Sequence, residues 1–337
     1  EKARDFNGLP VGSDQEVMVS VGSTGAFVST CLALFEPGDE VVLFEPFYGY
    51  HRGILSLLGV TPVAVPLRAQ DPAASRRTGW SVDFNALEAA ITDKTKAVLV
   101  CTPANPSGKI WSEAELTQLL GLLEQHDLWA ITDEIYEYMT YDGHRHVSLA
   151  SLPGAYERTV TLSGFSKTFN MTGWRLGYAV AAPPVIEKMG LINDLVYICA
   201  PAPLQHGVAD ALPMDAAYYT QMLADYTAKR TLMCETLEAC GFAVNWPDGA
   251  YYVLAGFEQL SRERSGFADD REATNTLIET AGVACVPGNS FFADPADGRF
   301  FLRFCYAKEM DVLEDACRRL RKVFAAEPAI QGGRDSA

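Results

Sequence analysis

The chain has 337 residues, 48% hydrophobic and 11% aromatic, which is enough for a sizeable core and longer than one compact core usually organises. A formal charge of −16 and a pI near 4.7 repel phosphate backbones and anionic lipid surfaces, so small molecules are expected as partners, not nucleic acid or membrane. No run of about twenty apolar residues is present, so no helix is expected to span a bilayer.

The eight cysteines, Cys31, Cys101, Cys199, Cys234, Cys240, Cys285, Cys305 and Cys317, lie mostly among apolar neighbours without the paired spacing of a metal site. They read as reduced core thiols, in keeping with a cytoplasmic setting. Of the five histidines only His144 and His146 stand close together, in a polar turn after Tyr141-Asp142-Gly143, and no metal is expected there. The opening Glu1-Lys2-Ala3-Arg4 reads as the end of an amphipathic helix and has no initiating methionine, which implies further residues upstream.

In chain order, β-rich runs occur at Val17 to Val21, Glu40 to Phe44, Pro62 to Pro66, Ala97 to Cys101, Trp129 to Thr132, Thr159 to Ser163 and Leu176 to Val180, with helical stretches between them. Val98-Leu99-Val100-Cys101 is apolar without alternation, as a strand buried on both faces of a largely parallel sheet requires. This is an α/β layout. A long helical stretch then covers Asp215 to Cys240. Shorter strands at Ala243 to Trp246, Tyr251 to Ala255, Val283 to Val286 and Arg299 to Phe304 read as a second, α+β domain. Arg68 to Gly79 and Ser261 to Arg271 read as surface loops, and residues 326–337 as a loose tail.

Four polar segments fall at strand ends. In Val21-Gly22-Ser23-Thr24-Gly25-Ala26 a strand gives way to small residues, and a helix begins at Phe27 or just before it. Free backbone N–H groups, the positive end of the helix dipole and two hydroxyls can hold a phosphate there, although such a segment also makes a plain turn. In Thr102-Pro103-Ala104-Asn105-Pro106-Ser107-Gly108-Lys109, two prolines and a glycine fix a loop at a strand's carboxyl end. Asn105 is then a rigid amide at the ligand crevice, or part of an ordinary Asn-Pro turn.

Ile131-Thr132-Asp133-Glu134-Ile135-Tyr136 puts an acid at the end of a buried strand, where it needs a cationic partner. A protonated pyridine nitrogen at about 3 Å would attract it by about 5 kcal/mol at an effective dielectric near 20, before desolvation. Structural pairing with an arginine is the alternative. The fourth segment, Ser163-Gly164-Phe165-Ser166-Lys167 through Gly173-Trp174-Arg175-Leu176-Gly177, holds Lys167 at a strand's end. A lysine in cationic or apolar surroundings loses its proton readily and can attack a carbonyl; a solvated lysine does not.

These four motifs, in this order, resemble the class I/II aminotransferases of the aspartate aminotransferase superfamily, from the first residues to about Val323. The resemblance implies the fold type I architecture: a large domain with a mostly parallel seven-stranded sheet flanked by helices, and a smaller α+β C-terminal domain. Residues 1–214 then form the large domain, 215–325 the small one and 326–337 the tail. It also implies pyridoxal 5′-phosphate (PLP), with Lys167 as the Schiff-base lysine and Asp133 as the acid that keeps the pyridine nitrogen protonated. Asn105 and Tyr136 resemble the donors to the phenolic oxygen, and Tyr48, in Glu45-Pro46-Phe47-Tyr48, the ring stacked on the cofactor. Gly22, Ser23, Thr24, Ser166 and Arg175 resemble the phosphate cradle, with Ser163 an alternative to Ser166. Arg303, in Phe301-Leu302-Arg303-Phe304, resembles the arginine that clamps the substrate carboxylate, with Asn105 beside it.

The implied reaction is ping-pong transfer of an amino group from an L-amino acid to a 2-oxo acid. Aromatic, sulfur-containing or kynurenine-like donors are favoured by the character of Glu45 to Tyr50, and a homodimer with shared active sites is implied. A C–S β-lyase, an amino-acid oxidase and the sensor domain of a transcription regulator share the scaffold, and fold alone does not separate them.

Overall fold

The structure, a computed structural model, describes residues 1–69 and 79–325. In chain order it runs α1 (Lys2–Asp5), β1 (Val17–Val21), α2 (Gly22–Leu34), β2 (Glu40–Glu45), α3 (Gly49–Leu57), β3 (Thr61–Pro66), β4 (Arg68–Ala69), β5 (Trp80–Ser81), α4 (Phe84–Ala89), β6 (Thr95–Cys101) and α5 (Glu113–Gln125). Then come β7 (Trp129–Asp133), β8 (Thr159–Gly164), β9 (Leu176–Val180), α6 (Pro183–Tyr197), α7 (Ala202–Ala211), α8 (Ala216–Ala239), β10 (Ala243–Val244) and β11 (Tyr252–Gly256). The described chain ends with α9 (Glu258–Glu263), α10 (Asp270–Ala281), β12 (Val286–Pro287), β13 (Phe301–Cys305) and α11 (Met310–Ala325).

Local chemistry sets several boundaries. Ser112 and Glu115 form a reciprocal capping box that starts α5. Asp269 accepts from the amides of Arg271 and Glu272 to start α10, and Gly282, at φ 61°, ends it in the left-handed region.

Seven strands form one sheet in the order β1-β9-β8-β7-β6-β2-β3. β9 pairs antiparallel with both its neighbours, and the remaining pairs are parallel. The carboxyl ends of β1, β2, β6, β7 and β8 therefore share one edge with the start of β9, and all four polar motifs lie on that edge. The strands β6 to β9 are almost wholly buried. Phe27, Leu55 and Met189 from α2, α3 and α6 pack with Leu43, Leu99, Ile131 and Leu162 of the sheet in one core.

The chain divides into two compact units. The first contains Glu1–Arg68, Trp80–Leu223 and Asp248–Ala250; the second contains Ala224–Pro247 and, among the described residues, residues 251–325. The division falls inside α8. In the second unit four antiparallel strands, β10-β11-β13-β12, place β13 between two partners.

Several local expectations are corrected. The helix of the first motif begins at Gly22, not near Phe27, so Gly22, Ser23 and Thr24 form its first turn. Ser261 to Arg271 is not all loop: it takes in the end of α9 and the start of α10. The strand at Val283 to Val286 shortens to β12, since only Val286 and Pro287 pair with β13. Residues 70–78 and the tail 326–337 lie outside the described residues.

Candidate active site

The phosphate-cradle motif is built by close approach. The Gly22 amide donates to the Arg175 carbonyl at 2.9 Å. A Cβ on Gly22, which sits at φ +69°, would lie 2.6 Å from Arg175 Nη2, and a Cβ on Gly177 would lie 2.3 Å from the Ser23 nitrogen. Two glycines thus let the β9 start and an arginine head press against the first turn of α2. Arg175 itself has left-handed backbone, φ 55° and ψ 48°, and its Nη1 donates to the Thr172 carbonyl at 3.1 Å. A guanidinium fork at a helix N-terminus with two hydroxyls in its first turn is an anion site.

Ser23, Thr24, Tyr48, His51 and Asp133 line a single cleft, and Tyr48, His51 and Asn105 line an adjoining one with Cys101. Asp133 is the last residue of β7, opposite Cys101 of β6, and it is buried. In the structure its side chain meets His51, with Nε2 3.0 Å from Oδ2. His51 is itself buried, edge-on to Phe27 and Tyr48. Sequence reading passed over His51, although the spacing Tyr48 to His51, three residues apart at the start of α3, puts both on one helix face.

Asn105 is buried in a loop closed by two backbone bonds, Gly108 N to Ala104 O at 2.8 Å and Ala104 N to Lys109 O at 2.9 Å. Tyr136 is buried, and the Lys167 Nζ stands 5.8 Å from its ring centre. Lys167 lies in the turn after β8, where the Phe169 amide donates to the Phe165 carbonyl and the Asn170 amide to the Lys167 carbonyl. The Tyr218 hydroxyl donates to the neighbouring Thr168 carbonyl at 2.7 Å. Ser163 donates its hydroxyl to Glu137 at 2.8 Å, whereas Ser166 is buried beside Lys167. Arg303 stands in the second unit, on the central strand β13, with its guanidinium carbon 4.3 Å from the Tyr252 ring centre and 5.0 Å from that of Phe291.

His144 and His146 separate. His144 faces Asp248 at 3.5 Å, and His146 faces Glu134 at 2.8 Å. Among the described residues Glu134, Glu137 and His146 form a group close enough to hold a cation. Lys2 supplies one: its ammonium pairs with Glu137 Oε1 at 2.5 Å. Among the described residues all eight cysteines are free thiols, with Cys199 exposed, and no helix is long and apolar enough to cross a membrane.

With this geometry in view, a family model described as aminotransferase class I and II matches residues 1–320. Kynurenine–oxoglutarate transaminase 3 of Homo sapiens is 31% identical over 334 residues, covering 94% of this chain and 73% of the human protein. The solved N-succinyldiaminopimelate aminotransferase from Mycobacterium tuberculosis is 33% identical with a TM-score of 0.87, covering 96% of this chain and 81% of that one. The aromatic aminotransferase from Pyrococcus horikoshii OT3 is 31% identical with a TM-score of 0.86, covering 96% and 83%.

The chain belongs to the class I and II aminotransferases. It is a fold type I, PLP-dependent transaminase acting on amino acids and 2-oxo acids. The residues present fit that cofactor: a helix start at which a Cβ on Gly22 would collide with the Arg175 guanidinium, a buried carboxylate lining one cleft with Ser23 and Thr24, and an amine within reach of a buried tyrosine.

Proposed function

We propose that this transaminase takes its amino group from an L-amino acid with an aromatic, sulfur-containing or kynurenine-like side chain and passes it to a 2-oxo acid in two alternating half-reactions. Amino-group transfer is supported by the convergence of Ser23, Thr24, Tyr48 and Asp133 on one cleft at the carboxyl edge of the sheet, and the donor class by similarity to a kynurenine–oxoglutarate transaminase and an aromatic aminotransferase. Bound PLP supplies the carbonyl that receives the amine and a protonated ring that withdraws electrons from the substrate's Cα.

The chain's own residues do the rest. Gly22, Ser23, Thr24, Ser166 and Arg175 hold the phosphate, and Tyr48 stacks on the ring. Asp133, held by its contact with His51, would keep the proton on the cofactor's ring nitrogen. Asn105 and Tyr136 donate to the phenolic oxygen. With the cofactor bound, the Lys167 amine would take the Cα proton as a general base and return it as a general acid. Arg303 clamps the carboxylate so that the Cα–H bond is held in the reacting orientation. We further propose a homodimer in the cytoplasm.

The test is an absorbance spectrum of the purified protein with PLP, before and after adding single L-amino acids without any 2-oxo acid. A visible-edge band converting to the pyridoxamine spectrum with aromatic, sulfur-containing or kynurenine-like donors supports the reading. Conversion only with acidic donors overturns the substrate class. Release of ammonia and pyruvate without an acceptor overturns amino-group transfer in favour of a lyase.

A further inference from the structure

We propose that Glu134 and His146 form a buried charged latch that positions the segment from Asp133 to Tyr136, which makes His146 a positioning residue for transamination. This rests on the reading that Asp133 and Tyr136 touch the cofactor.

The segment leaves β7 with its side chains divided between two faces. Asp133 lines the cleft, while Glu134 and Glu137 are buried among polar partners, at 0% and 2% exposure. Buried carboxylates are tolerated only when every oxygen is satisfied. Glu134 Oε1 accepts from the hydroxyls of Thr132 and Ser148, both at 2.8 Å, and Oε2 faces His146 Nε2 at 2.8 Å. Glu137 Oε1 accepts from Lys2 and Ser163, and Oε2 accepts from Asn7 at 2.6 Å. Lys2 also donates to Asn7 and to the Tyr178 hydroxyl. The backbone follows the side chains: the Glu134 amide donates to Leu162 O at 2.8 Å and the Glu137 amide to Glu134 O at 3.0 Å.

Charge balance assigns the role of His146. Two buried carboxylates face one ammonium, Lys2, and His146 is the remaining ionisable group in contact with them, its Nε2 on Glu134. The ionisable groups around that ring are Glu134, Glu137 and Lys2, with Tyr178 and Tyr138 beside Lys2. Burial pulls the imidazole down, but the Glu134 carboxylate, its hydrogen bond and the Glu137 carboxylate outweigh that and Lys2, and hold it above the usual histidine value. Once His146 is neutral, Glu134 and Glu137 face the Lys2 ammonium alone, in the chain segment that carries Asp133 and Tyr136. The latch then loosens, although no group that touches the cofactor has changed.

The experiment uses the full chain. In the first arm, the ¹³Cε1 resonance of His146 is titrated in labelled protein and assigned by replacing the other four histidines singly. It should titrate above the free-histidine midpoint, and a midpoint below that value overturns the proposal. In the second arm, His146→Gln is assayed with PLP. It should lower kcat between about tenfold and a hundredfold, as misplacement of reacting groups does, with KM for the amino acid changed less than about twofold in this reading. The alkaline fall of kcat in the natural chain should flatten in the variant.

His144→Gln, in the same turn but facing Asp248, is expected to change neither. Should His146→Gln fail to fold, Ser148→Ala removes one donor from Glu134 and should show the same kcat loss in smaller measure. Natural kcat and pH profile in the folded variant overturn the latch alone. Absence of a PLP band in the natural protein overturns the reading of the site beneath it.

Discussion

His51 Nε2 sits 3.0 Å from Asp133 Oδ2, and both side chains are buried. Removing His51 leaves the buried Asp133 carboxyl without that hydrogen-bonding partner, a loss of about 1–3 kcal/mol. In the proposed mechanism, bound PLP would offer Asp133 a further partner, its ring nitrogen. The expected outcome for His51→Leu is a fall in melting temperature that is larger without PLP than with it. Calorimetry on both forms checks this; equal losses would show that His51 and the cofactor do not share Asp133.

Gly177→Ala should weaken PLP binding on steric grounds. The new Cβ would meet the Ser23 nitrogen at 2.3 Å and the Gly22 carbonyl carbon at 2.4 Å, both backbone atoms that cannot swing aside. The first turn of α2 must therefore move off β9. A PLP dissociation constant raised on the order of tenfold or more is expected, equivalent to about 1.4 kcal/mol, read by fluorescence quenching on the apoprotein.

Lys167→Ala should abolish turnover while the protein still takes up PLP noncovalently, because the phosphate cradle and Asp133 are untouched. In the proposed mechanism, Asp133→Ala should retain covalent attachment at Lys167 but lose most of kcat, since the ring nitrogen would lose the group assigned to keep it protonated. Spectra taken with single-turnover kinetics separate the two losses, and full activity in either variant would remove that residue from the mechanism.

With Arg303 in its proposed role as the carboxylate clamp, Arg303→Gln should raise KM for the amino acid on the order of a hundredfold, as deleting one partner of a desolvated charge pair does. Its guanidinium lies between the rings of Tyr252 and Phe291, so Phe291→Leu should raise KM by a smaller factor with little effect on kcat. Steady-state kinetics with one amino acid and one 2-oxo acid are sufficient.

Acid should unfold the protein partly through Glu137. Burial pushes its carboxyl up, but the Lys2 ammonium, His146 and the Asn7 amide pull it further down, so its folded pKa is below the ordinary value. A depressed carboxylate stabilises above the unfolded pKa, near about 4.3, and that contribution is lost as pH falls through the folded value. Urea unfolding followed from neutral pH into the acid range should show a shallower loss of stability for Glu137→Gln than for the natural chain. Identical slopes would place the acid sensitivity elsewhere.

Much of this protein is written in one dimension. The apolar runs that become β6 to β9, the glycine and proline punctuation after them, and the lysine segment ending in Gly173-Trp174-Arg175-Leu176-Gly177 are local patterns. Local patterns are what propensity and periodicity report. They gave the α/β sheet, the strand-end position of each motif and the family resemblance that the comparisons bear out.

What the tertiary structure alone decided are the pairings between distant segments. His51 meets Asp133, Lys2 meets Glu137, and Gly177 meets Ser23 across 82, 135 and 154 positions respectively, counted from their residue numbers. No sequence period links such residues. A buried charge specifies only that it needs a partner, and the register of β7 and β9 against their neighbours determines which side chain the chain brings to it.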